Sequence, residues 1–588
     1  MQVTAHVHHY GRKGFAWARG LRQRVRASEF FFILLAIAVG TGAGLLTIVQ
    51  GVAAWAIQHM LFGIPTDLRL SGAPPLTIAQ FLILPLGGIL LAFFTWGVSA
   101  RKRTLVDAVE ANALHGGRMS VIDSGIVAGQ TILSNGFGAS VGLEAAYAQL
   151  GGVVASRAGR WLSLRRGDVR TLVGAGAGAA IAAAFGSPLA GAFYAFEVVI
   201  GAYTPAAIAP VAAASLAGAQ VAQRLGGVPY VVTVNAGPAI HTAGYLIYAG
   251  LGLVCALIGI AIMRAVALVE TGSRAWLPHW SRPAIGGLLL IPIALVSPQV
   301  LSAGHSALHI DMLVTVPIGF LALILVAKSL ASIVSLGFGF RGGLFFASLF
   351  LGTLTGHLYS AGAAWLVGHP VLDPGNAAMV GMAALATAIV GGPMTMAMLV
   401  LGATGNFSLT GAVLAASLVS STLVRETFGY SFSTWRLHLR GETIKSARDV
   451  GWVKALTAGR MMRGEVKAIS CETSAAEFRR RFPLGSTSRA VLVDAEGRYA
   501  GIVTTAMVFA EGVADDTPVA TLARVGNVWL SPQMHIGEVM KCFDLAESDE
   551  LVILDADRHI LGILTESFVR RRYAEELEKA QRDLFGER

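Results

Sequence analysis

Apolar residues run in blocks through the first three-quarters of the chain, and the blocks change character along the way. Phe30 to Phe62 is apolar for long enough to cross a hydrocarbon layer of ~30 Å with tilt. Leu76 to Trp96 reads as a second span, closed by Arg101-Lys102-Arg103. Val121 to Ile132, Leu143 to Val154, Leu172 to Ile200 and Ala206 to Val221 are also apolar, but glycines and small polar residues interrupt them and several are too short to span alone. The second half repeats the theme with Ala243 to Val269, Ile285 to Val296, Met312 to Leu336, Ala377 to Val400 and Leu409 to Leu423. Short, Gly/Pro-broken apolar segments at corresponding places in two halves point to a transport site at mid-membrane.

Two pairs of motifs make the correspondence concrete. Gly142-Leu143-Glu144 and Gly343-Leu344-Phe345 each open a compact apolar segment, 201 residues apart. Val173 to Gly191 and Val380 to Met396 each run through small residues to a glycine-rich turn and a proline, Pro188 and Pro393, 205 residues apart. Chance matching among Gly/Ala-rich helices is the bland alternative, but two pairs in the same order favour a duplication, and inverted topology is its common membrane form. The expected fold is therefore an all-α polytopic membrane domain of two inverted repeats with broken helices.

Past Arg440 charged residues become frequent and the apolar runs shrink to strand length. Val491-Leu492-Val493-Asp494 then Gly501-Ile502-Val503-Thr504 recurs, about 61 residues on, as Val552-Ile553-Leu554-Asp555 then Gly562-Ile563-Leu564-Thr565. Each unit reads as strand, turn, strand and helix, with helices at Thr505–Gly512 and Glu566–Arg571. The expected organisation is a basic segment over 1–28 and a membrane domain over 29–440, with repeats at about 29–225 and 243–440. A linker over 441–464, an α/β pair over 465–573 and a charged tail over 574–588 complete it.

Composition agrees with a membrane protein. Of 588 residues 54% are hydrophobic and 14% charged, against about 25% charged in soluble domains, and mean hydropathy is +0.63. The net charge of +10 could suggest nucleic acid, but the basic residues gather at the edges of apolar blocks, as the positive-inside bias requires. No nucleic-acid partner is expected. Cys255, Cys471 and Cys542 are too dispersed for a disulfide framework or a metal cluster. The basic, aromatic start lacks the apolar stretch of a cleavable leader, which places it in the cytoplasm.

Candidate chemistry centres on Glu144. An ionisable group at bilayer depth is costly and is a functional candidate by default, although a protonated or paired carboxylate between helices would also fit. Gly142 lets backbone approach a ligand closely, and a helix opening just after it presents free N–H groups to an anion. The run Gly174-x-Gly176-x-Gly178 imitates a dinucleotide fingerprint but lacks the preceding strand. His305 and His309 flank a polar-to-apolar boundary and are expected to face a loop. No catalytic arrangement and no metal site is read from the sequence.

Taken together, these motifs resemble the CLC family of chloride channels and proton–chloride exchangers, with a tandem CBS pair at the end, over nearly the whole chain. Gly142 to Gly152 is similar to the family's glutamate motif, Gly342 to Ala347 to its GxFxP motif, and Phe185 to Gly191 and Val380 to Met396 to its two proline-containing helices. The resemblance implies that Glu144 is the gating glutamate and that backbone amides of Gly142, Gly343, Leu344 and Phe345 line the anion site. The family's serine ligand has no clear match; Asp123-Ser124-Gly125-Ile126 lies too close to Glu144, and spacing leaves Thr104. The pore tyrosine aligns with Ser433, with Tyr430 three residues earlier.

Exchangers of this kind carry an acid where Val198 stands here. A valine cannot take up a proton, and Glu197 beside it would point about 100° away on an α-helix. The reading is therefore an anion channel gated by a protonatable glutamate. A proton-coupled chloride or fluoride antiporter, with Glu197 on the inner proton path, is the alternative, and a CBS-regulated transporter for another ion a more distant one. Resemblance further implies a homodimer in the bilayer, an inner-membrane location, both termini cytoplasmic, and no cofactor beyond the transported anion. In the CBS pair Met507 and Phe568 stand where an adenine nucleotide's ribose acceptor would be, leaving Thr504 and Thr565 as contacts and packing as the favoured role.

Overall fold

The computed structural model describes residues 22–66, 68–99, 105–226, 240–313, 316–438, 456–524, 528–546 and 548–585. It divides into two compact units, Met1–Asp449 and Val450–Arg588. Among the described residues, seven helices of the first unit are long and apolar enough to cross a membrane.

The first unit opens with α1 (Glu29–Phe62), α2 (Ile83–Ser99), α3 (Ala108–Leu114), α4 (Val121–Gly136) and α5 (Glu144–Trp161). It continues with α6 (Arg166–Phe185), α7 (Pro188–Tyr194), a π-helical turn (Ala195–Ile200) and α8 (Pro205–Arg224). The second half holds α9 (Thr242–Trp276), α10 (Arg282–Ala294), α11 (His305–Leu313), α12 (Ile318–Gly337), α13 (Phe345–Val367), α14 (Pro374–Val390), α15 (Pro393–Thr404), α16 (Phe407–Thr427) and α17 (Phe432–His438).

Three blocks that are continuous in hydropathy are broken in two, the first two at the glycine-rich turns and prolines read from the sequence. Gly186, in the left-handed region at φ +64°, ends α6, and Ser187 and Pro188 start α7, the serine hydroxyl accepting from the Ala190 N–H. Gly391, at φ +87°, ends α14 before Pro393 starts α15. A left-handed glycine stops a helix and a proline pre-set for the first turn begins the next, so hydropathy runs straight through the joint. In the third, α11 ends at Leu313 and α12 begins after Pro317.

Helix contacts repeat with the two halves. Between α5 and α6, a Cβ at Gly151 would overlap the Gly176 carbonyl and one at Gly176 the Gly151 carbonyl. Between α13 and α14, Gly352 and Gly381 stand in the same reciprocal relation. These positions carry the sequence offsets of 201 and 205 residues, so the repeat extends to backbone-on-backbone packing. Lipid gives no hydrophobic drive between helices, and close approach through small residues maximises dispersion contact instead.

In the second unit β1 (Ala468–Ser470) pairs parallel with β2 (Arg489–Val493), which pairs antiparallel with β3 (Tyr499–Thr504); α18 (Ala475–Arg481) and α19 (Thr505–Val508) flank them. α20 (Ile536–Ala546) precedes the antiparallel hairpin of β4 (Glu550–Leu554) and β5 (Ile560–Thr565), followed by α21 (Glu566–Phe585). Both hairpins carry the same register: Arg489 opposes Thr504 as Glu550 opposes Thr565, and each has a bulge at its last pair. The two expected strand–turn–strand–helix units are present. Their helices differ in length from the sequence reading, since α19 is a single turn whereas α21 continues through the charged end to Phe585.

Because Gly151 faces backbone rather than a movable side chain, Gly151→Ala should destabilise the first unit by about 1–3 kcal/mol through overpacking. Thermal unfolding of the detergent-solubilised chain checks this, with Gly362→Ala, at a glycine whose added Cβ would meet open space, as the unaffected control.

Candidate functional site

α5 begins at Glu144 and α13 at Phe345, each without a side-chain cap. Their approaches are joined. Gly142 donates to the Gly343 carbonyl at 2.9 Å and Gly343 donates back to Gly142 at 3.1 Å, an isolated antiparallel bridge. This corrects the expectation that the Gly142 and Gly343 amides hold an anion, because the bridge occupies both N–H groups. The N–H groups of Leu344 and Phe345 have no backbone acceptor among the described residues, as the first turn of a helix leaves them.

Glu144 is 2% exposed, and neither carboxylate oxygen has a hydrogen-bond partner among the described residues. The carboxylate lies against Gly142, where a Cβ would overlap it. It faces the backbone N–H groups of Glu144 itself and Phe346 without closing a hydrogen bond to either. Aromatic rings wall the seat: Phe185 packs on Phe345 at 5.0 Å and on Phe346 at 6.1 Å, and Tyr194 lies 6.1 Å from Phe345.

A cavity of about 90 Å³ adjoins this junction, bordered by Ala145, Gln149, Arg341, Gly342, Gly343 and Arg436, with Leu105, Asp107 and Ser433 among its other walls. A larger one of about 590 Å³ takes in Glu197, Val198, Tyr203, Arg425, Tyr430 and Ser433. Ser433 borders both. Tyr430 borders only the larger, and its hydroxyl is 3.1 Å from His438 Nδ1. Thr104 lies outside the described residues. Its neighbours Leu105 and Asp107 border the small cavity, and Gln149 Nε2 donates to the Val106 carbonyl at 2.9 Å and to Ser124 Oγ at 3.0 Å.

The structure adds two features to the sequence reading of Glu197. Residues 195–200 form a π-helical turn, and Glu197 and Val198 both border the larger cavity. The Glu197 carboxylate is also fully engaged. It accepts from the N–H groups of Met394 at 3.0 Å and Thr395 at 2.8 Å and from the Thr395 hydroxyl at 2.7 Å, capping the start of α15. Three donors hold it in place, which suits a strut between the two repeats better than a proton carrier. His305 is likewise corrected: it does not face a loop but is buried, its ring 3.9 Å from that of Phe346.

Sequence reasoning missed Ala145, Phe346, Arg341 and Arg436. The duplication could have found the first two, since the offset of 201 pairs Ala145 with Phe346. The arginines carry no such signal, because they come to the cavity from two separate segments. In the second unit Thr504 and Thr565 end equivalent strands; the Thr565 hydroxyl accepts from the Phe568 N–H at 3.4 Å. Asp555, Asp557 and His559 cluster in the β4–β5 turn. The β2–β3 turn folds identically around Asp494, with Arg498 in place of His559, so turn geometry accounts for the cluster. There the Arg498 N–H holds the Asp494 carboxyl below the usual carboxylate range.

Glu197→Gln should destabilise the first unit by about 1–3 kcal/mol, because an amide NH₂ cannot accept from α15's donors. A lowered unfolding temperature in detergent checks it, and an unchanged one would show that the cap is dispensable.

Residues 97–425, more than half of the chain, match the family model described as voltage gated chloride channel. A protein named as a ClcB-like chloride channel in Ralstonia nicotianae is 28% identical over 413 residues, which cover 67% of this chain and 94% of that protein. The voltage-gated ClC-type chloride channel ClcB of Citrobacter koseri is 27% identical over 403 residues, covering 67% and 95%. Among solved structures, a slow cyanobacterial Cl⁻/H⁺ antiporter shares the fold at a TM-score of 0.60 and 21% identity, over 70% of this chain and 97% of that one. A eukaryotic CLC transporter does so at 0.59 and 17%, over 91% and 97%.

Proposed function

The chain belongs to the voltage-gated chloride channel family, and from that premise we propose that it is a passive channel for chloride or a similar small anion, gated by protonation of Glu144. The observation that carries the reading is the seat of Glu144: one carboxylate, without a hydrogen-bond partner, between the uncapped starts of α5 and α13. A helix start carries about half a positive charge and unpaired N–H groups, enough to attract an anion without holding it permanently. The amides of Leu344 and Phe345 serve the anion, and the ionised side chain competes for the same place. Proton uptake removes that competition.

Ser433, on both cavities, is the hydroxyl ligand of choice; Thr104 retains its place by spacing alone, and Tyr430 is turned to His438. Val198 offers no proton acceptor and Glu197 is committed to α15, which favours a channel over an antiporter. The protein acts as a homodimer in the inner membrane with both termini cytoplasmic, the arginines just before α1 (Arg22, Arg24 and Arg26) following the positive-inside rule. The α/β unit serves as a CBS-type packing module, and no adenine nucleotide is required for conduction.

Glu144→Gln should raise anion flux several-fold at neutral and alkaline pH and flatten its rise on acidification. Chloride efflux from proteoliposomes between pH 5 and 8 measures both, and a variant indistinguishable from the parent would remove Glu144 from gating. Gly142→Ala, which denies the carboxylate its seat, should act in the same direction. Coupling is read from the reversal potential under combined chloride and pH gradients: a channel follows chloride alone, whereas a potential displaced in fixed proportion by the proton gradient would make the chain an antiporter.

A further inference from the structure

On the face where α1 begins, the loop after α3 (115–120) and the α5–α6 connection (162–165) enclose a cavity of about 840 Å³. His115, Arg118, Arg160, Ser163 and Arg166 border it, and among the described residues no carboxylate does. Arg26 reaches the rim and donates to the Ser163 carbonyl at 2.7 Å. Arg118 and Arg166 form no ion pair among the described residues. Arg160 is held by neutral acceptors, the carbonyls of Met119 at 2.8 Å and Ser156 at 3.4 Å, which fix its position and leave its charge uncancelled. Asp168, in the first turn of α6, lies in the field of Arg165 and Arg26.

The walls are shaped by constrained backbone. Gly116 and Gly117 have φ of +59° and +76°, and the Arg166 side chain lies against Gly116 where a Cβ would need it to move. Ser163 is in the left-handed region at φ +48°, pinned by its N–H to the Arg160 carbonyl at 3.0 Å and by the Leu164 N–H to the Gly159 carbonyl at 2.9 Å. A non-glycine residue keeps such a conformation only where its surroundings over-determine it. A concave wall of unneutralised cations focuses the field into the cavity, and guanidinium groups match phosphate oxygens in pairs. The volume suits a small phosphorylated group.

We propose that this cavity binds a phosphate-bearing anion, either a phospholipid headgroup or a soluble phosphate compound, and that occupancy steadies α5, the helix that carries Glu144 at its other end. The rival is unspecific attraction of surface arginines to anionic lipid. Arg157 separates the two: it is exposed on the same end of α5 but does not border the cavity.

The test uses the full chain in phosphatidylcholine nanodiscs, with thermal unfolding followed at constant ionic strength while sodium pyrophosphate is added, or while phosphatidylglycerol replaces part of the lipid. The parent should be stabilised in at least one arm, and the responding arm identifies the source. Arg118→Gln with Arg166→Gln should weaken that response at least tenfold, and Arg157→Gln less than twofold. Should the double variant fail to fold, Arg118→Gln alone, on an exposed loop, carries the test. No stabilisation in either arm, or equal loss with Arg157→Gln, overturns the proposal. Either result leaves the gating role of Glu144 to be judged by flux.

Discussion

The reciprocal pair of hydrogen bonds between Gly142 and Gly343 is the constraint on which the rest of the membrane unit depends. It brings two helix starts together from the two repeats and uses up the Gly142 and Gly343 N–H groups that the sequence reading assigned to an anion. Among the described residues, the N–H groups left without a backbone acceptor lie one and two residues further on, at Leu344 and Phe345. The bridge tolerates little substitution. A side chain at Gly142 would overlap the Glu144 carboxylate, and one at Gly342 would come within 2.5 Å of Val141 Cβ. Here glycine is required for space, since neither residue has a left-handed φ.

The helices behind the bridge must hold their starts within a fraction of an ångström, and they do so through backbone contact. Gly151 with Gly176 and Gly352 with Gly381 fix α5 on α6 and α13 on α14 by the same device in each repeat. Glu197 adds a polar tie from the first repeat to α15 in the second. In a medium that supplies no hydrophobic drive, small residues and charge-assisted hydrogen bonds are the means left for rigidity. This also explains the glycine count of 70, which a water-soluble core would not need.

The sequence made the architecture legible because duplication writes itself twice. The paired motifs at offsets of 201 and 205 residues located both helix starts, both proline joints and Glu144. Hydropathy alone would have missed those joints, being blind to the left-handed φ of Gly186 and Gly391 that ends the helices. The π-helical turn at Glu197 was not legible for a related reason: periodicity assumes 3.6 residues per turn. Roles fixed by distant partners were not legible at all. The Gly142–Gly343 exchange, the burial of His305 against Phe346 and the arginines of the small cavity each join segments far apart in the chain.

On the proposed reading, a carboxylate is an apt gate for such a site because it competes on unequal terms. A free halide must be drawn from solution at its bulk concentration, whereas the Glu144 side chain is tethered at the rim and presents an effective concentration in the millimolar range or above. The tether alone would make the block permanent if the seat also offered strong hydrogen bonds, as Glu197 enjoys at α15. It does not: the Glu144 oxygens face amides without closing on them. Two carboxylates in one domain thus meet two helix starts with opposite results. The one held by three donors is structure, and on the proposed reading the other is free to leave.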